Sequence, residues 1–166
     1  MGRLADLLES INLLIGKVAR WLILGMVLVQ FSIVILRYVF SVSFVAMDEC
    51  VLYMHASLFM LAVGYTLAVD QHVRVDIFYA NFSDSGKRLL NCIGHTVLLF
   101  PSMALVTYYS WPPVRASWAN LEGPITPGGI PAIFVLKSLI PAFCILLVIQ
   151  GGALLLRDIQ RLREGS

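Results

Sequence analysis

Apolar residues fall into four long runs separated by short polar connections, and that pattern governs the rest of the reading. The runs cover about residues 21–40, 48–69, 89–111 and 132–156. Each holds the ~20 predominantly apolar residues that a helix needs to cross a hydrocarbon core of ~30 Å. A different pattern precedes them. Leu4, Leu7, Leu8, Ile11, Leu14 (or Ile15) and Val18 recur at spacings of three and four, with Arg3, Asp6, Glu9 and Lys17 between them. This predicts an amphipathic helix over 1–19, lying along the membrane face. The connection 70–88 opens Asp70-Gln71-His72-Val73-Arg74-Val75-Asp76 and continues Ile77-Phe78-Tyr79, so a short interfacial helix or strap is expected. The connection 112–131 holds Trp118, Glu122, Pro124, Pro127, Gly128 and Gly129, a composition that argues against a long helix. Trp111 and Trp118 are expected to hold that connection against the outer surface. Residues 1–166 therefore read as one all-α integral membrane domain: four transmembrane helices with an N-terminal amphipathic helix.

Composition narrows the class. Of 166 residues, 59% are hydrophobic and 13% charged, against ~25% charged in a soluble domain. A net charge of +2 from scattered basic residues gives no surface for nucleic acid. The natural contact of such a chain is membrane lipid. The basic residues also set orientation. Arg3, Lys17 and Arg20, then Arg74, Lys87 and Arg88, then Arg157, Arg161 and Arg163 make nine of the 12 and fall on one side. Arg37, Arg115 and Lys137 remain on the other. The excess of Lys and Arg on cytoplasmic loops places both termini and 70–88 in the cytoplasm. The first apolar run is too long for a cleavable signal, and no small-residue cleavage site follows it. Cys50, Cys92 and Cys144 are isolated, which indicates neither a disulfide framework nor a zinc site.

All ten carboxylates (Asp6, Glu9, Asp48, Glu49, Asp70, Asp76, Asp84, Glu122, Asp158 and Glu164) lie at segment ends or in connections. An ionisable group held inside a membrane usually marks an ion or proton pathway. The spans lack an acidic one, which points to a chain that supports transport chemistry located elsewhere. No G-x-x-x-x-G-K-[ST], H-E-x-x-H or G-x-S-x-G sequence suggests an enzyme.

Several polar residues remain as candidates. His55 and His95 are the best candidates to ligate a haem, the alternative reading of the chain as an electron-transfer subunit. At ~1.5 Å per residue each lies roughly 10 Å deep, from opposite faces. Their depths then differ by about 10 Å across a ~30 Å core, whereas two axial ligands with metal–nitrogen bonds of ~2 Å sit about 4 Å apart. Neutral histidines hydrogen-bonded between helices fit better, and no cofactor is expected. Asp48 and Glu49 open the second run, either as carboxylates meeting the positive end of a helix dipole or as a docking spot. Arg37 is placed to pair with either. Lys137 is shallow enough to snorkel outward, and Pro141 should kink the last helix or loosen a turn. Gln30, Asn91 and Gln150 suit interhelical hydrogen bonds, while Gly64-x-x-x-Ala68 and Gly151-Gly152-Ala153 suit close packing.

Taken together, several stretches resemble the small membrane subunit, DctQ type, of tripartite ATP-independent periplasmic (TRAP) transporters. They are Arg37-Tyr38-Val39-Phe40 followed by Asp48-Glu49 and Tyr53; Gly64 leading into His72-Val73-Arg74-Val75-Asp76; and Gly129-Ile130-Pro131, Lys137, Ile140-Pro141, Leu146-Leu147 and Gln150. One departure is Ala46-Met47 where the family often has Trp before the acidic pair. The resemblance implies a multi-pass protein of the bacterial inner membrane that has no substrate site of its own. Its expected partners are a large TRAP membrane subunit, which moves substrate with sodium, and a periplasmic solute-binding protein, which captures an organic acid or similar solute. It also gives Asp48, Glu49 and Arg115 a possible docking role, and leaves Arg37, Tyr38, His72, Arg74, Asp76, Pro131, Lys137, Pro141 and Gln150 as structural motif residues.

Overall fold

The computed structural model describes residues 2–69, 84–124 and 126–164. It contains α1 (Gly2–Ala19), α2 (Trp21–Val39), α3 (Val45–Ala68), α4 (Asp84–Ile93), a π-helical segment (Gly94–Leu99), α5 (Phe100–Ala119) and α6 (Ile133–Glu164). Among the described residues, four helical stretches are long and apolar enough to cross a membrane: Ala5–Val39, Val45–Ala68, Gly86–Ala119 and Ile133–Gln160. The expected inner connection, with His72, Arg74 and Asp76, lies for the most part outside the described residues.

Helix α6 is the hub. It packs against α1, α3, α4, the π segment and α5, and contributes the buried Ile133, Cys144, Leu146, Leu147, Gln150 and Ala153. Its 32 residues reach ~48 Å at ~1.5 Å per residue, longer than a ~30 Å hydrocarbon core. The helix runs through Pro141 without interruption. Helix α2 is peripheral, packing chiefly on α3 and burying only Ile33.

The α1–α2 junction keeps helical geometry. Arg20 stays at φ −57° and ψ −27°, its N–H reaches the Gly16 carbonyl at 3.1 Å, and the Ile23 N–H reaches the Arg20 carbonyl at 3.1 Å. Both helices consequently run antiparallel to α3, with Gly16 against Tyr65, Gly25 against Met54 and Arg37 against Asp48. The sharp return between α2 and α3 uses Ser41 at φ 57°, which lets the Val42 N–H reach the Leu36 carbonyl at 3.0 Å.

Two expectations change. The amphipathic helix forms and leaves Leu7, Ile11, Leu14 and Val18 exposed, but it continues the line of α2 alongside α3 and α6 instead of lying along the membrane face. The buried face is Ala5, Asn12, Gly16 and Ala19, seated on α3 and α6. Between helices in lipid no hydrophobic gain separates protein from tails, so small residues that let backbones approach take the contact. The connection 112–131 was also expected to exclude a long helix, yet α5 continues through Pro112 and Pro113 to Ala119. A proline within a helix costs ~3 kcal/mol. Packing on α6 offsets that cost: Val114 and Ser117 are buried, and the Trp118 ring lies 4.7 Å from that of Phe134.

Candidate functional site at the two ends of the bundle

Both termini's helices and the end of α3 meet at one end of the bundle, here the lower end. There α1 is held to α6 by two attachments. Arg157 Nη2 lies 2.7 Å from Asp6 Oδ1, and Arg157 Nη1 pairs with Glu9. One turn further along α1, the fully buried Asn12 donates from Nδ2 to Gln150 Oε1 at 3.1 Å, with the Leu146 carbonyl at 3.5 Å. Gly64 of α3 makes this possible: a Cβ there would overlap Asn12 Oδ1, as one on Gly16 would overlap the Tyr65 ring. The ion pairs are partly exposed and contribute ~0.2–1 kcal/mol each. The buried amide pair is worth about as much, ~0.6 kcal/mol on average for a hydrogen bond between membrane helices. Its larger consequence is register. Asn12 Oδ1 and Gln150 Nε2 have no further hydrogen-bond partner among the described residues, so any slip of α1 would bury two more unmatched groups.

The upper end is organised by the segment that follows α5. Asn120 ends the helix, Leu121 takes a left-handed conformation at φ 43°, and the N–H groups of Leu121 and Glu122 return to the Trp118 and Ser117 carbonyls at 3.3 and 3.0 Å. This six-to-one closure of a helix end aims Glu122 at Lys137, which donates to it. The Lys137 ammonium holds the Glu122 carboxyl below its usual range, because a hydrogen bond and positive charge favour the ionised form. Trp118 Nε1–H donates to Ser138 Oγ at 2.7 Å. Across the same end, Glu49 accepts the Ile130 N–H at 2.6 Å and rests on Gly129. Asp48 is exposed and lies 3.5 Å from Arg37 Nη2.

These positions sort the sequence candidates. Lys137, expected to snorkel outward, has Glu122 as its partner at the upper end. Of the acidic pair, Glu49 is occupied within the chain and Asp48 faces outward. Arg115, Tyr38 and Pro131 are exposed, and Pro141 is buried. Gln150 makes the interhelical hydrogen bond expected of it. Gly64 and Ala153 pack closely, while Gln30 is exposed. His55 stands exposed beside Phe59, ring centroids 6.5 Å apart, whereas His95 Nδ1 bonds the Asn91 carbonyl at 2.7 Å beside Gly151 of α6. The two histidines thus serve different neighbours. Asn12 and the pairing of Glu9 were not apparent in the sequence; the spacing of the small residues Ala5, Gly16 and Ala19 around Asn12 was the available signal.

A family model described as tripartite ATP-independent periplasmic transporters, DctQ component, matches residues 26–161. The match takes in Gly64, Gln150 and Arg157 but not their α1 partners. No curated protein and no solved structure matches the chain significantly.

Proposed function

We propose that this chain, which belongs to the DctQ family of TRAP transporter components, braces the large membrane subunit while that subunit moves. Family membership makes it a transport component and not an enzyme, a multi-pass protein of the inner membrane, and a partner of the large membrane subunit and the solute-binding protein. The finer reading is that the large subunit carries an organic acid or similar solute with sodium while this chain holds it at a fixed depth and tilt.

The observation that carries the bracing role is the seat of α1. A helix that lies loose on a membrane cannot resist tilting. One attached at Asp6, Glu9 and Asn12 to the central helix α6, with Gly16 against α3, shares the rigidity of the bundle. Its exposed Leu7, Ile11, Leu14 and Val18 are then free to engage the membrane interface. The chain carries no Asp or Glu in α2, in α3 after Glu49, or in α6 before Asp158, as suits a subunit that leaves ion coupling to its partner. The excess of Lys and Arg at the lower end assigns that end to the cytoplasm. The upper end then faces the periplasm, where Asp48 is the best-placed contact for the binding protein. Glu49 is already engaged with Ile130, and Arg115 sits one turn inside the end of α5.

Proteoliposomes holding the large subunit, with solute-loaded binding protein outside and an imposed sodium gradient, test this reading. Uptake should need this chain, and should fall when Leu7→Glu and Ile11→Glu are combined. Unchanged uptake and complex yield in that variant would remove the bracing role; uptake indifferent to sodium would remove the coupling.

A further inference from the structure

Between α5 and α6, at the upper end, a groove of about 440 Å³ runs from the helix ends toward mid-span. Val114 and Pro141 form its buried floor, Trp111, Trp118 and Ile145 its exposed walls, and Arg115 its rim. The two helices are antiparallel here. Trp118 meets Ser138 near the ends of both, and Trp111 and Ile145 lie deeper. The groove thus has a polar mouth and an apolar depth. Arg115 is exposed and pairs with no carboxylate among the described residues. Glu122, the acidic residue that follows α5, is taken by Lys137.

We propose that this groove binds one phospholipid, with its phosphate on Arg115 and an acyl chain along Val114, Pro141, Ala142 and Ile145. The chemistry of each part matches. Guanidinium groups bind phosphate oxygens through two parallel N–H donors. Arg115 lies four residues from the end of α5, roughly 6 Å at ~1.5 Å per residue, a depth from which its side chain reaches the headgroup layer. Tryptophans at that level anchor to the interface, and basic pockets between membrane helices hold lipid headgroups.

Charge favours a lipid over a protein helix. A phosphate headgroup supplies the partner that Arg115 lacks while an acyl chain covers the apolar walls, whereas an apolar membrane helix laid in the groove would cover the guanidinium without pairing it. Its apolar walls likewise exclude a free anion as the whole ligand. The bulky neighbours of the groove come from α5 and α6 alone, while Pro141 and Ala142 keep the α6 side shallow.

The test uses the complex of this chain with its large subunit, stripped of lipid in mild detergent and titrated with dioleoylphosphatidylglycerol under native mass spectrometry. The wild-type complex should take up one saturable lipid that Arg115→Ala weakens at least tenfold and Ala142→Trp abolishes by filling the slot. Arg115→Lys should retain part of the binding, and inorganic phosphate should not displace the lipid. Gel filtration of each variant complex confirms assembly, and the phosphate arm needs no variant. Equal lipid uptake by wild type, Arg115→Ala and Ala142→Trp would overturn the proposal. Displacement by phosphate alone would overturn it in favour of an anion site. Cross-linking of Ile145→Cys to the large subunit, with no lipid retained, would put a partner helix in the groove. Loss of binding-protein affinity in Arg115→Ala with lipid uptake intact would assign Arg115 to docking instead.

Discussion

The two ends of the bundle use similar residues in opposite ways. At the lower end two ion pairs on one arginine and an amide pair join helices far apart in sequence: Asp6 and Glu9 to Arg157, Asn12 to Gln150. The amides are buried, and a glycine notch on α3 fixes where Asn12 can sit. At the upper end no buried amide pair accompanies the charged ones among the described residues. Glu122 and Lys137 are 15 residues apart, and Arg37 and Asp48 face each other across one short turn at 3.5 Å. Glu49, bound to the Ile130 N–H, is the contact there that joins positions far apart in sequence. The lower end therefore fixes helix positions, whereas the upper end shapes a surface. This is the division that the proposed bracing and docking roles call for.

The contrast is broken most forcefully at Gly64. Gly64→Leu would drive a side chain into Asn12, and overpacking of this kind costs ~1–3 kcal/mol. Yield and thermal stability of the complex should both fall, and Asn12→Ala in the same chain should recover much of the loss by vacating the notch. If Asn12→Ala gives no recovery, the notch is not what Gly64 provides.

Gln150→Leu comes next, since it leaves Asn12 buried without its partner, at ~1–3 kcal/mol. Combining it with Asn12→Ala should cost less than the two single changes added together. A double-mutant cycle on melting temperature reads this directly, and strict additivity would deny the coupling.

The upper end should respond more weakly and in a different variable. Glu122 has its carboxyl held below the usual range by Lys137. A group whose folded pKa is depressed adds stability above its unfolded pKa, and that contribution is lost as pH falls through the folded value. Glu122→Gln should therefore melt slightly below wild type at neutral pH, and the two should converge as pH drops below the ordinary carboxylate range. A gap that persists in acid would mean the glutamate acts through packing and not through its charge. The smallest effect on stability belongs to Asp48→Asn, an exposed pair of the class worth ~0–1 kcal/mol. Its melting temperature should hardly change, while the association rate with the binding protein should drop and lose salt dependence.

The four helices and the segment ahead of them were legible because long apolar runs and three-to-four spacing depend only on local sequence. Which face of α1 meets the protein was not legible by the usual rule. In water, Leu7, Ile11, Leu14 and Val18 would mark the inside; next to lipid they need no protein cover, and the small residues with Asn12 turn inward instead. The continuation of α5 through Pro112 and Pro113 was hidden for a related reason. The two prolines are a strong local signal to stop, and the contacts of Val114, Ser117 and Trp118 with α6 that override it are not local. Glu49 read as a helix-start carboxylate because its partner, Ile130, is 81 residues away. The pairing of Lys137 with Glu122 was not readable, because the left-handed turn at Leu121 is what brings the carboxylate to it. Asp48 and Arg37 were readable, being separated by one short connection.

The bracing role requires that α1 belong to the rigid bundle. Hydrogen–deuterium exchange of the reconstituted complex tests this most directly, by comparing the amides of Asn12 to Ala19 with those in the last two turns of α3. Slow exchange at matched rates, accelerated in α1 by Gln150→Leu, is the predicted result. Rapid exchange of α1 beside a protected α3, unchanged by Gln150→Leu, would show a helix resting loosely on the membrane and contradict the bracing role.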